Sequence, residues 1–223
     1  MTEILITGAN GCIGSALVKY LAKSGYKVTA LARDIMGINN ISPVEGIDIA
    51  YSDICDTEKI DELLSLKQFD VIIHLAAIVH ARDAGENDFE RVNYHATAVL
   101  FELAKKHHIK QFVFISTVAV YGEDTPKVFD EEAPCSPQTL YALSKWKAEE
   151  YIKCNCNQHI RFSIIRPSTV YGNNDKGNIK RLFNIAKRGI FPVIGDGNNL
   201  KSPVSYTHLR PHETVLDLVF RLL

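Results

Sequence analysis

The sequence predicts an α/β fold: a doubly wound parallel sheet with helices on both faces. Short apolar runs alternate with longer stretches of helical period as far as residue 166, the rhythm of strand-helix-strand crossovers. A glycine-rich turn joins the first apolar run to the first helical stretch. Right-handed crossovers then leave few topologies, of which the doubly wound sheet is favoured.

The elements follow in order. Glu3–Thr7 (EILIT) is an apolar run ending at a glycine, as suits a buried parallel strand. Residues 13–22 put Ile13, Leu17, Val18 and Leu21 on one helical face, and Gly25 stops the helix. Lys27–Ala32 and Ile47–Tyr51 read as the second and third strands, and Thr57–Leu66 as a short helix capped by Thr57. Residues 69–75 (FDVIIHL) form a fourth strand, followed by one long helix over 88–107. Strands at 111–116 and 162–166 flank a helix at 139–154.

Of the 223 residues, 46% are hydrophobic, enough for one buried core with part of a second domain attached. With 25 basic and 26 acidic side chains, the formal charge of -1 gives no electrostatic reason to expect nucleic acid or an anionic membrane as partner. The five cysteines show neither CxxC pairing nor zinc-finger spacing, so reduced thiols and no metal site are expected. The opening MTEILITGAN lacks a basic region followed by an apolar one, and no apolar run approaches the about 20 residues that span a bilayer. The expectation is a soluble cytoplasmic protein.

Thr7 to Gly14 reads TGANGCIG. Gly8 permits a tight turn, Gly11 lets backbone approach a phosphate, and Gly14 lets the helix pack close to the sheet. The helix N-terminus offers N–H groups and about half a positive charge to a pyrophosphate. The candidate cofactor loop is therefore Gly8, Asn10, Gly11, Cys12, Ile13 and Gly14.

Within LYALSKWKAEEYI, Tyr141 and Lys145 stand at i and i+4 and converge on one face of a helix. A free phenol is a poor base at neutral pH, and a neighbouring ammonium favours its ionised form. The pair is expected to act as an acid/base with Lys145 drawing the phenol down.

Together TGANGCIG, HLAA (74–77), VNYHAT (92–97), ISTVAVYG (115–122), YALSK (141–145) and RPSTVYG (166–172) resemble the extended branch of the short-chain dehydrogenase/reductase superfamily, the NAD-dependent epimerase/dehydratase family. The resemblance runs from Met1 to about Ser202 and implies a Rossmann-type sheet. It places Tyr141, Lys145 and a third catalytic group, Thr117 rather than Ser116, at the reacting centre, and Asn93 as the supporting asparagine. It assigns Asp53 and Ile54 to the adenine, has Leu75, Ala76 and Ala77 pass close to the cofactor, and counts Pro167, at the end of the sixth strand, among the cofactor-binding residues, with Tyr171 and Gly172 leading out over the nicotinamide. Thr117, Tyr141 and Asn178 would touch substrate.

Where NAD enzymes carry a carboxylate after the second strand, this chain has Ala32 followed by Arg33. That tilts the cofactor, NAD or NADP, toward NADP through Arg33. The family's 4,6-dehydratases carry Asp-Glu directly after the catalytic threonine; here Val118 and Ala119 stand there, which disfavours dehydration.

The expected function is a nucleotide-sugar epimerase working by reversible hydride transfer at C4 of a UDP-hexose. A keto-sugar or other carbonyl reductase consuming NADPH is the alternative, and a non-catalytic dinucleotide-binding regulator a further one. The expected layout is an NAD(P)-binding domain over 1–176 and the start of a substrate lobe over 177–202. Residues 203–223 resemble translated sequencing adapter and are expected to be non-native, leaving most of the lobe absent. A homodimer through the helices at 88 and 139 would fit the family.

Overall fold

The computed structural model describes residues 1–33, 41, 46–79, 85–122, 130–171, 184–189 and 204–205. Strand β1 (Glu3–Thr7) sits inside a six-stranded, wholly parallel sheet of order β3-β2-β1-β4-β5-β6. The others are β2 (Lys27–Ala32), β3 (Ile47–Tyr51), β4 (Val71–His74), β5 (Gln111–Ile115) and β6 (Arg161–Ile165). Ile4, Leu5 and Ile6 are all inaccessible to solvent, as a strand covered on both faces requires. The strand order reverses between β1 and β4, and the gap at their carboxyl ends is where open α/β sheets bind ligands.

Alternate side chains feed two cores. Ile4, Ile6, Val28 and Ile73 meet α1 (Cys12–Lys23) through Leu17, Val18 and Leu21. Leu5, Ile72, Phe112 and Phe114 pack on the opposite face against α2 (Thr57–Leu66), α4 (Ala96–Lys106) and α5 (Leu140–Asn155).

Three local features differ from the sequence reading. Helix α2 is capped by Asp56, whose Oδ1 accepts the Lys59 N–H at 3.2 Å, with Thr57 as its first helical residue. An ionised side-chain acceptor at the N-cap satisfies an orphan N–H and suits the dipole. The single helix expected over 88–107 is three pieces: α3 (Glu86–Phe89), a π-helical segment Glu90–His95, and α4. Finally, Val204–Ser205 (β8), within the stretch expected to be non-native, pairs in parallel with Val170–Tyr171 (β7). The rest of 203–223 lies outside the described residues.

One ion pair fastens α5 to the end of β6. Glu149 is fully buried and receives Arg166 Nε at 3.0 Å and Nη2 at 2.5 Å. Arg166 Nη1 also donates to the Tyr121 hydroxyl at 2.6 Å, tying in the 3₁₀ turn Val118–Tyr121. A carboxylate so enclosed depends on its partner. Arg166→Met should cost about 3 kcal/mol or more in urea unfolding, and Glu149→Met with Arg166→Met should restore part of that loss, because the buried carboxylate that lost its guanidinium is then gone.

Candidate active site

The glycine turn is built by contacts that only glycine permits. Gly8 has φ +65°, and a Cβ there would sit 2.6 Å from the Ala76 amide nitrogen. A Cβ on Gly14 would collide with the Gly8 carbonyl. Gly11 is the N-cap of α1, so no side chain caps that helix, and no acidic residue stands in its first turn. A cleft of about 340 Å³ opens beside this turn.

The cleft gathers Gly8, Asn10, Gly11, Arg33, Asp53, Ile54, Leu75, Ala76 and Ala77 of the expected cofactor residues. Asp53 is set by an Asx turn in which its Oδ1 accepts the Cys55 N–H at 2.9 Å. Cys12, Ile13 and Gly14 form the first turn of α1. The sequence reading missed Thr7, Leu31, Ser52, Ile78, Arg91 and Val92, which also line the cleft. Arg91 and Val92 arrive there on the π-helical segment, which no periodicity in the sequence marks.

Tyr141 and Lys145 project from the first two turns of α5, whose N-cap Thr139 accepts the Ala142 N–H at 3.1 Å. The Tyr141 phenol is hydrogen-bonded to Thr117. Thr117 is held by two backbone contacts around it: its Oγ1 accepts the Ala119 N–H at 3.2 Å, and Val118 N–H donates to the Pro167 carbonyl at 3.2 Å. Pro167 thus fixes the strand end that carries Thr117. The neighbouring Ser116 Oγ is buried without a partner among the described residues, the kind of polar atom a bound ligand would satisfy.

Asn93 sits at the centre of the π segment and is fully buried. Its Oδ1 accepts the Ile78 N–H at 2.8 Å, and its Nδ2 donates to the Ile78 carbonyl at 2.9 Å and to Ser144 Oγ at 3.1 Å. Ser144 Oγ in turn donates to the Tyr141 carbonyl at 2.8 Å. The Asn93 amide is therefore committed to holding the segment after β4, which lines the cleft, against the helix that carries Tyr141. Grouped with the catalytic residues from sequence, Asn93 is placed here as a clamp.

The electrostatics correct one expectation. Lys145 is 1% exposed, with Nζ 4.0 Å from the Phe114 ring centroid. Burial pulls its amine down to about 7, partly offset by the Glu149 carboxylate one turn on. Burial likewise raises the Tyr141 phenol above 10, with the Thr117 hydrogen bond pulling it back. Lys145 is not among the causes of that shift, contrary to the expectation that its ammonium draws the phenol down. Desolvation disfavours the charged form of both groups, and an amine titrating near neutrality is only partly charged there.

Asn178, expected to touch substrate, lies outside the described residues.

Similarity to known proteins decides the family. The sequence matches the NAD dependent epimerase/dehydratase family over residues 4–205. The chain belongs to this family. It is 35% identical over 209 residues to a putative UDP-glucose 4-epimerase of Methanocaldococcus jannaschii, covering 89% of this chain and 68% of that one. It is 30% identical to human dTDP-D-glucose 4,6-dehydratase over 76% of this chain, spanning about half (51%) of that relative's length. Among solved structures, UDP-glucuronic acid 4-epimerase from Bacillus cereus, in complex with UDP-glucuronic acid and NAD, superposes with a TM-score of 0.76 at 30% identity, covering 92% of this chain and 69% of that one. Epimerases and dehydratases thus both stand among the family members it resembles.

Because the Lys145 amine titrates at about 7 in the fold and 10.5 in the unfolded chain, the unfolded chain binds more protons between those values. The group's contribution to stability falls as pH drops from 10.5 through about 7. Lys145→Met should therefore unfold at higher urea than wild type at about pH 6, with the advantage shrinking toward about pH 10. Urea titrations at both pH values check this; a variant weaker than wild type at the lower pH contradicts a desolvated amine.

Proposed function

We propose that the chain carries the catalytic half of an NAD(P)-dependent nucleotide-sugar 4-epimerase acting on a UDP-hexose. The observation that carries this reading is the Tyr141 phenol hydrogen-bonded to Thr117, with Lys145 one turn on and Asn93 linking that helix to the cleft. The cleft's glycine turn, the exclusion of a Cβ at Gly8 and the orphaned Ser116 hydroxyl fit a bound dinucleotide. Residues Gly8, Gly11, Asp53 and Ala76 would hold it, with Tyr141, Lys145 and Pro167 at the nicotinamide end. When bound, the dinucleotide supplies a reversible hydride acceptor and, oxidised, a positive ring charge.

The chain's own residues handle the proton. Tyr141 takes the hydroxyl proton from the C4 oxygen as the carbon is oxidised and returns it when the transient ketone is reduced from the other face. Thr117 donates a hydrogen bond to that oxygen and keeps it in line with the phenol. Lys145 adds charge beside the phenol when protonated, although burial limits the fraction charged at neutral pH. Val118 and Ala119 offer no carboxyl or carboxylate to expel water from a neighbouring carbon, which supports epimerisation over 4,6-dehydration. NAD is the dinucleotide in the Bacillus cereus neighbour; Arg33 in the same cleft as Asp53 supports acceptance of NADP as well.

Tyr141→Phe should abolish interconversion of the C4 epimers, by about a thousand-fold or more, while NAD affinity changes less than about two-fold. Chromatography of the UDP-sugars and calorimetric titration of NAD check the two halves. Net consumption of one NADPH per sugar converted would replace the epimerase with the keto-sugar reductase.

A further inference from the structure

A buried chain of hydrogen bonds runs behind the cleft and has no part in the chemistry above. His74, the last residue of β4, is inaccessible to solvent. Its Nδ1 lies 2.7 Å from Thr7 Oγ1 and its Nε2 2.8 Å from Thr97 Oγ1. The neighbours fix where the protons sit. Thr7 Oγ1 already accepts the N–H groups of Leu75 and Ala76, each at 3.2 Å, so its hydroxyl proton remains to be donated and His74 Nδ1 accepts it. Thr97 Oγ1 donates to the Asn93 carbonyl at 2.8 Å, so it accepts from His74, and Nε2 carries the ring proton.

A neutral imidazole with hydrogen on Nε2 therefore satisfies every group. An imidazolium would direct Nδ1–H at an oxygen that already accepts from Ala76 and shares the Leu75 N–H with the Thr7 carbonyl, and would strand the Thr7 proton. Burial, with the Lys145 charge across the Phe114 ring, pushes the imidazole down to about 3, in the same sense. The ring also stacks on Phe114, with centroids 5.8 Å apart and planes at 19°.

We propose that His74 is a positioning residue that ties the dinucleotide turn at Thr7–Gly8 to the Asn93 clamp and, through Ser144, to Tyr141. It rests on the epimerase reading for its catalytic end only. Thr7 lines the cleft; the Asn93 carbonyl lies in the π segment, and the Asn93 side chain holds Ile78 and Ser144. Among the described residues, His74 joins these two ends side chain to side chain through the core beneath the sheet's carboxyl edge.

Two substitutions separate the ends. Asparagine places its amide near the Nδ1 position and is too short for Thr97; glutamine reaches the Nε2 position and leaves the Thr7 hydroxyl without its acceptor. His74→Gln should weaken NAD binding about five-fold, the worth of one hydrogen bond, and keep kcat at saturating NAD. His74→Asn should hold the NAD Kd within about two-fold and lower kcat about ten-fold. Equal effects of both variants on Kd, or a lowered melting temperature with Kd and kcat unchanged in both, would overturn the proposal.

Should wild type bind NAD without epimerising any sugar, the proposed function fails, while the difference in NAD affinity between the variants still decides the role of His74. Nitrogen-15 NMR of the wild-type imidazole covers the case in which neither variant folds. A neutral ring protonated on Nε2 from about pH 8 to about pH 5 is expected; a proton on Nδ1, or titration near the ordinary histidine value, overturns the assignment.

Discussion

Holding the Lys145 amine out of water, on the Phe114 ring and beneath the sheet's carboxyl edge, is the constraint that the surrounding residues answer to. A cation in an apolar setting loses its proton unless charge or hydrogen bonds compensate. Glu149 supplies the compensating carboxylate one turn along α5, and a carboxylate that is itself fully buried needs a cation of its own. Arg166 meets that need from the end of β6 and adds Tyr121 to the network. The helix bearing the Tyr141–Lys145 pair is thereby fixed to two strand ends by the groups that make the amine tolerable there.

The second requirement is to aim that helix at the cleft. An α-helix running unbroken through 90–95 would present its residues at a steady 3.6-residue period. The π-helical segment shifts that phase, and Asn93 at its centre grips both Ile78 and Ser144. Single-turn π segments are rare and occur frequently at functional sites. Here the displaced residues include Arg91 and Val92, which line the cleft, and Asn93, which joins it to α5.

Much of this was legible in the sequence, for physical reasons that also explain what was not. Strands buried on both faces, such as EILIT and QFVFI, announce themselves as apolar runs, and the glycine turn as a spacing that sterics demand. Tyr141 and Lys145 at i and i+4 follow from helix geometry alone. Those features are local. The π segment is not, because nothing in VNYHAT distinguishes it from an α-helix until Asn93 finds Ile78 and Ser144, which come from elsewhere in the chain. The direction of the Tyr141 shift was likewise out of reach. Charge proximity was readable along the helix, whereas desolvation depends on Phe114 and the strands that cover it. His74 lies in the HLAA motif with no role legible from sequence, since its partners Thr7 and Thr97 are distant along the chain and meet it only in the core.

Burial leaves the phenol harder to ionise than in water, so the account makes the oxidised dinucleotide's charge, joined to whatever fraction of Lys145 is protonated, necessary for Tyr141 to act as a base. Ultraviolet titration of the phenolate, taken as wild type minus Tyr141→Phe with and without saturating NAD, measures this directly. The account predicts a midpoint above the ordinary tyrosine value for the protein alone and a fall of about one unit or more when NAD is bound. The same midpoint in both states, or a phenol already acidic without NAD, would contradict it.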